Sequence, residues 1–182
     1  DDAILWNTDK DKLNFGWLCE SSAINHKIIE IIFRNLDLLK ERYKFIFTAD
    51  TRIIERDPEF FKFTITNAVP WIRNKKIYPK TKLISMIASN KKFCSGHLFR
   101  YENIERFKEK LDHYGRGYST ELPWILDNEG IKESGKLLGL KDYMFSVSIE
   151  NDNYEHSFTE KITDCFATGV VPIYWGGEKV IE

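Results

Sequence analysis

Between Tyr143 and Trp175 two short apolar runs, YMFSVSIE and VVPIYW, stand on either side of a stretch with helical periodicity. In that stretch Phe158, Ile162, Cys165 and Phe166 share one face of a helix predicted over Ser157–Thr168, and Gly169 ends it. Strand, helix and strand in this order form a βαβ unit, with parallel strands and a right-handed crossover. A parallel sheet needs helices against its faces, so this unit directs the chain to an α/β architecture. Pro172 cannot donate to a strand ladder, which implies a sheet-edge strand or a strand-entry position for it.

The rest of the chain repeats the theme. Phe15–Glu20 (FGWLCE) reads as a buried strand. Ser22 is placed to cap a helix running to about Lys40, with Ile24, Ile28, Ile31, Ile32, Leu36 and Leu39 at helical spacing. Lys44–Thr48 is a strand ending at Ala49-Asp50, and Phe61–Thr66 is rich in β-formers. The Lys-rich segment from Pro70 to Lys82, with a second proline at Pro79, reads as a linker or a domain edge. It divides the chain into residues 1–78 and 79–182. Beyond it come a strand (Leu83–Ala88), a polar loop (Ser89–Leu98) and a helix (Phe99–His113), with a stop at Tyr114-Gly115-Arg116-Gly117. Pro123–Asn128 has no clear pattern, and Ile131–Leu140 suits a short helix. The fold class is therefore α/β with two Rossmann-like pieces.

Charge narrows the partners. With 27 Lys and Arg against 28 Asp and Glu, the net charge is −1. No global basic field draws in nucleic acid, so any anion site must be built locally from a few placed cations. No stretch approaches the ~20 apolar residues of a membrane span, and the first residues do not form a signal peptide. Three well-separated cysteines, Cys19, Cys94 and Cys165, read as reduced, core-packed thiols. These features lead us to expect a cytoplasmic protein, at most peripheral to a membrane. Both ends are abrupt, which suggests a fragment whose C-terminal part is incomplete. Asp9-Lys10-Asp11 is formally a metal-binding DxD but lies in a solvated Lys/Asp stretch, and His26, His97, His113 and His156 read as surface polar residues. Of these, His97 and His156 are also placed to line a ligand cleft. No metal site is expected.

In an open parallel sheet ligands sit beyond the C-terminal strand ends. After Glu150 the chain passes through Asn151-Asp152-Asn153 and enters a helix near Ser157. A helix N-terminus offers unpaired N–H groups to a phosphate. Lys161 falls in the first turn, where the helix dipole disfavours a cation unless an anion sits there too. The same residues also admit a plain capping box, Ser157 with Glu160, in which Lys161 is only a solvated charge.

The run from Tyr143 to Gly176 resembles the hallmark of glycosyltransferase family 10, the α-1,3/α-1,4-fucosyltransferases, bacterial or viral type. The resemblance is carried by Phe145, Glu150, Asn151, Thr159, Glu160, Lys161, Pro172, Tyr174, Trp175 and Gly176. Ser157 stands where the family often has Tyr. Upstream, Ser89-Asn90, Arg100 and Tyr114-Gly115-Arg116 are similar to further family patterns, and Trp17-Leu18-Cys19-Glu20-Ser21 resembles a Trp…Glu-Ser element. The resemblance implies a GT-B-type arrangement of two Rossmann-like domains, acceptor side first. It implies inverting, metal-independent transfer of fucose from GDP-fucose to a glycan hydroxyl. Glu20 would be the catalytic base. Arg100 and Lys161 would hold the diphosphate and Glu160 the ribose, with Glu150, Asn151, Ser157 and Tyr174 completing the donor site. A transferase of the same fold using another nucleotide sugar, or a catalytically silent nucleotide-binding fragment, are the alternatives.

Overall fold

The computed structural model describes all residues except 1, 2, 6, 7, 10, 66, 67, 119, 121, 124, 127–131, 181 and 182. Two parallel sheets organise the chain. The first holds β1 (Phe15–Trp17), β2 (Phe45–Thr48) and β3 (Phe61–Phe63) in that order. Three helices cover one of its faces: α1 (Ile28–Arg34), α2 (Leu36–Arg42) and α3 (Thr51–Arg56). Ile32, Leu39, Ile46, Ile53 and Phe61 form the core between sheet and helices. On the opposite face Phe15 and Trp17 stay about half exposed, and Phe15 lies against Phe45 and Phe47 at ring distances of 6.3 and 6.4 Å.

The second sheet has the order β5-β4-β8-β9, all parallel, from β4 (Lys82–Ile87), β5 (Asp112–Tyr114), β8 (Tyr143–Ile149) and β9 (Val171–Trp175). Between β5 and β8 a small antiparallel pair, β6 (Ile125–Leu126) with β7 (Lys132–Glu133), precedes a short 3-10 helix at Gly135–Gly139. The crossover helix α4 (Ser95–Phe107) packs Ile104 and Phe107 against Ile84, Met86, Val147 and Ile149. On the other face α5 (Glu160–Thr168) packs Cys165 and Ala167 against Ile87, Leu137, Leu140 and Val170. Alternate side chains of a strand point to opposite faces, so β4 serves both cores through Met86 and Ile87, while β8 gives Val147 and Ile149 to the α4 side and meets Cys165 of α5 through Ser148. The strand order reverses between β4 and β8, and the two crossover helices leave on opposite sides there. That is the crevice in which open α/β sheets bind ligands.

Several local expectations are corrected. Ser22 caps no helix; turns occupy the chain until α1 begins at Ile28. The expected single helix is broken at Asn35, whose side chain donates back to the Ile31 carbonyl at 2.7 Å. Asp50 caps a further helix, α3, by accepting from the Arg52 N–H at 3.1 Å. Helix α4 starts inside the expected loop and ends at Phe107, so His113 lies on strand β5. Gly115 and Gly117 do have positive φ, 141° and 83°, but they stop that strand and not a helix. The expected strand Phe61–Thr66 ends at Phe63, and Thr66 falls outside the described residues, as do parts of the 123–128 and 131–140 assignments. The βαβ unit stands as expected, with β9 at the sheet edge and Pro172 in it.

The lysine-rich stretch is tied down along the second sheet. The Trp71 and Ile72 N–H groups donate to Asp164 Oδ1 at 2.7 and 3.2 Å, and those of Arg73 and Asn74 donate to the Glu133 carboxylate. Ile72 is fully buried in the α5-side core.

Candidate active site

A cleft of about 680 Å³ opens at the strand-order reversal and runs to the first sheet. Its floor is the end of β4 (Ile87–Ser89) and the end of β8 (Val147–Ile149, then Asn151), and Cys19, Glu20 and Ile24 close the far side.

Arg100 enters from α4. It is 6% exposed, and burial pulls its guanidinium below the usual pKa. Nε donates to the Ile149 carbonyl at 2.9 Å and Nη2 to Asn151 Oδ1 at 2.7 Å. A guanidinium has five N–H donors, so donors remain for the cleft that Arg100 lines. The approach depends on Gly96, where an added Cβ would stand 1.9 Å from the Glu150 carbonyl oxygen.

Lys161 lies at the second position of α5. The N-cap is Thr159, not Ser157, and Glu160 is the first helical residue; the alternative capping box of Ser157 with Glu160 is therefore not formed. Lys161 Nζ donates to Thr159 Oγ1 at 2.8 Å and to Glu150 Oε2 at 3.1 Å. Glu150, 1% exposed, also accepts from the Thr159 N–H at 2.8 Å and the Thr159 hydroxyl at 2.7 Å. This carboxylate stands behind the cleft, aiming the ammonium and fixing the helix start.

Glu160 lines the cleft beside Lys161. Burial pushes its carboxyl up, but Lys161 and Lys136 more than offset this, and it remains below the usual carboxylate range. Lys136 Nζ bridges Glu160 Oε1 at 2.8 Å and Asp164 Oδ2 at 3.0 Å and lies 4.1 Å over the Trp71 ring. Burial raises the Asp164 carboxyl even so. Lys136, Asp164 and Trp71 line the cleft too, and sequence reasoning missed all three. Asp164 left one usable signal: a carboxylate two residues past Ile162 and next to Cys165 on a helix whose buried side holds all three. Phe166, assigned to the apolar face, is 61% exposed.

The remaining assignments divide. Asn151 lines the cleft and receives Arg100. Ser157 is buried, and its carbonyl accepts from the Tyr174 hydroxyl at 3.4 Å and the Gly177 N–H at 3.3 Å. Ser157 borders a second, much smaller hole with Glu20, Asp50 and Tyr154. Burial raises the Tyr174 hydroxyl pKa. Glu20 is exposed and borders both cavities.

Of the histidines, His97 is no surface residue. It is 5% exposed in the first turn of α4, lines the cleft, and packs edge-on against Phe93 at 4.4 Å. Burial, with the charges of Arg100, Lys91 and Lys161, lowers it to about 4. Cys94 and Cys165 are buried, as expected, whereas Cys19 is exposed on the cleft wall. Asp9 pairs with Lys12 at 2.9 Å, and Lys10 lies outside the described residues.

Arg100 and Lys161, drawn from opposite helices to one crevice, give it two cations against a helix N-terminus. No helix among the described residues is long and apolar enough to cross a membrane. No solved structure matches the chain. Residues 77–182 match the family described as glycosyltransferase family 10 (fucosyltransferase) C-term, a span that holds the second sheet, both crossover helices and both cations. The chain belongs to glycosyltransferase family 10, the fucosyltransferases, and is a glycosyltransferase whose substrates are a nucleotide-sugar donor and a glycan acceptor.

Proposed function

We propose that the chain transfers fucose from GDP-fucose to a glycan hydroxyl with inversion, in a GT-B-type arrangement of an acceptor-side unit (1–78) and a donor-side unit (79–182). The observation that carries this reading is the meeting of Arg100 and Lys161 at the strand-order reversal, with Glu20 across the same cleft. The diphosphate lies between the two cations and the first turn of α5. There it offsets the unfavourable position of Lys161 in the helix dipole. As the glycosidic bond breaks, charge grows on the leaving diphosphate, and these preplaced donors stabilise it without a metal ion. Glu160 accepts from a ribose hydroxyl. Asn151 and Glu150 act behind the cations, Asn151 orienting Arg100 and Glu150 orienting Lys161. Ser157 and Tyr174 support the loop between β8 and α5.

Glu20 takes the acceptor's proton as the hydroxyl attacks the anomeric carbon from the face opposite the diphosphate. The sugar ring passes through an oxocarbenium-like state. General-base help of this kind is worth about 10²–10⁴-fold.

Calorimetric titration with GDP, with UDP and CMP as controls, tests the donor reading, and GDP-fucose turnover follows it. Selective GDP binding is expected. Equal binding of UDP would direct the search to another nucleotide sugar, and no binding by a folded chain would remove the diphosphate roles of Arg100 and Lys161.

A further inference from the structure

A polar network joins the two sheets directly behind Glu20, and the reaction outlined above does not use it. Asp50 follows β2 and is 8% exposed; Arg52 grips it in bidentate fashion, Nε to Oδ1 at 2.9 Å and Nη2 to Oδ2 at 2.7 Å. Ser22, 7% exposed and two residues past Glu20, donates to Asp50 Oδ2 at 3.2 Å and accepts from Arg52 Nη2 at 2.6 Å. Its remaining lone pair faces the Tyr154 hydroxyl at 2.9 Å. A serine has one proton to give and Asp50 takes it, so Tyr154 is the donor in this bond. The Tyr154 ring also lies under the Arg52 guanidinium, 4.5 Å from its centroid. Phe63, at the end of β3, adds an edge-on contact with His156 at 5.5 Å.

Tyr154 belongs to the loop between β8 and α5. That loop is pinned at both ends by the donor-site residues, at Asn151 by Arg100 and at Thr159 by Glu150. Its first turn is closed by the Tyr154 N–H donating to Asp152 Oδ1 at 3.2 Å. One short segment therefore touches the cations' anchors at its ends and the Glu20 corner at its middle.

We propose that Ser22, Asp50, Arg52 and Tyr154 form a clasp that sets the position of Glu20 relative to the donor cations. Tyr154 and Arg52 are thus positioning residues for the transfer step. The proposal rests on the reading of Glu20 as the base. A base held off its productive position loses rate and not donor affinity, because the donor's own contacts stay in place.

Tyr154→Phe removes the one hydroxyl that crosses to Ser22 and keeps the ring under Arg52. We expect kcat to fall about tenfold while the KM for GDP-fucose and the GDP affinity stay within about twofold. A purely architectural contact would lower the melting temperature and leave kcat of the folded enzyme unchanged, and that result overturns the proposal. Combining Tyr154→Phe with Glu20→Gln, read by single-turnover kinetics, locates the effect. If the clasp acts through the base, the tyrosine change costs nothing further once the base is gone. Additive losses would show that it acts elsewhere and would sink the proposal. Full turnover by Glu20→Gln alone is a distinct result. It removes the base role itself, and the clasp's positioning role goes with it.

Discussion

Lys161 is the residue on which sequence and structure agree most usefully. Its place in the first turn of α5, awkward for a cation, was legible from spacing. What spacing hid was Glu150, eleven residues earlier, which holds the ammonium from behind at 3.1 Å. Lys161→Ala should weaken GDP binding by about 1.5–3 kcal/mol, the scale of a charged hydrogen bond. Calorimetry on the folded variant checks this, and unchanged affinity would take Lys161 out of the site. Glu20→Gln, by contrast, should keep GDP affinity and lose turnover by the ~10²–10⁴ of general-base catalysis. His97 illustrates what a sequence cannot show. A lone histidine in a polar loop reads as surface, yet the early start of α4 buries it. Its value of about 4 lies below the ordinary 6.5, so the folded state resists protonation that the unfolded chain accepts. The stabilisation is complete above about 6.5 and is lost as pH falls toward 4. In thermal melts across that window the native protein should therefore lose stability relative to His97→Gln; parallel melting profiles would contradict this.

At the scale of elements, β4, β8, β9 and the α5 stop were legible because apolar runs and a left-handed glycine are local signals, whereas the short strand β5 was read as the end of a helix. Gly169 takes φ 69°, as a helix-ending glycine should. Helix starts were not legible. Ser22 and Ser157 have good capping chemistry, but the tertiary environment claims both: Ser22 for the clasp, and Ser157 for the buried turn that receives Tyr174 and Gly177. Thr159 caps α5 instead, since Glu150 already holds its N–H and hydroxyl. The start of α4 depends on Gly96, where the helix meets the Glu150–Asn151 turn and the Gly96 N–H donates to the Asn151 carbonyl at 3.1 Å. Gly96→Ala places a methyl within 1.9 Å of backbone oxygen, which no rotamer change relieves. The helix must back away and carry Arg100 with it. We expect a loss of about 1–3 kcal/mol in stability, typical of overpacking, together with weaker GDP binding. Denaturant unfolding and titration on the same sample measure both, and native values for either would refute the tight fit.

Across the whole molecule, the division into two parallel-sheet pieces followed from counting strand and helix signals, but the way the pieces join did not. Lysines and prolines in residues 70–82 suggested a linker or a domain edge. There Ile72 is buried and the backbone N–H groups of Trp71 and Ile72 end on Asp164, from a helix more than ninety residues away. Nothing in a linker's composition reveals a partner so distant. Asp164 is 1% exposed and also takes Lys136, so it is the point where connecting segment, α5 and cleft wall converge. Asp164→Ala would leave two backbone donors and a half of the Lys136 charge pairing unmet in a dry environment. Breaking a buried pair from one side costs about 3–5 kcal/mol, and the same range is expected here. Asp164→Asn keeps an acceptor for Trp71 and Ile72 while giving up the charge, so it should lose less. Urea unfolding of the two variants separates the roles. A large loss in alanine with a small one in asparagine assigns the stabilisation to the linker's backbone bonds, and equal losses assign it to the ion pair with Lys136. A loss under about 1 kcal/mol in alanine would mean that the segment is held by Ile72 packing and Glu133, with Asp164 a bystander.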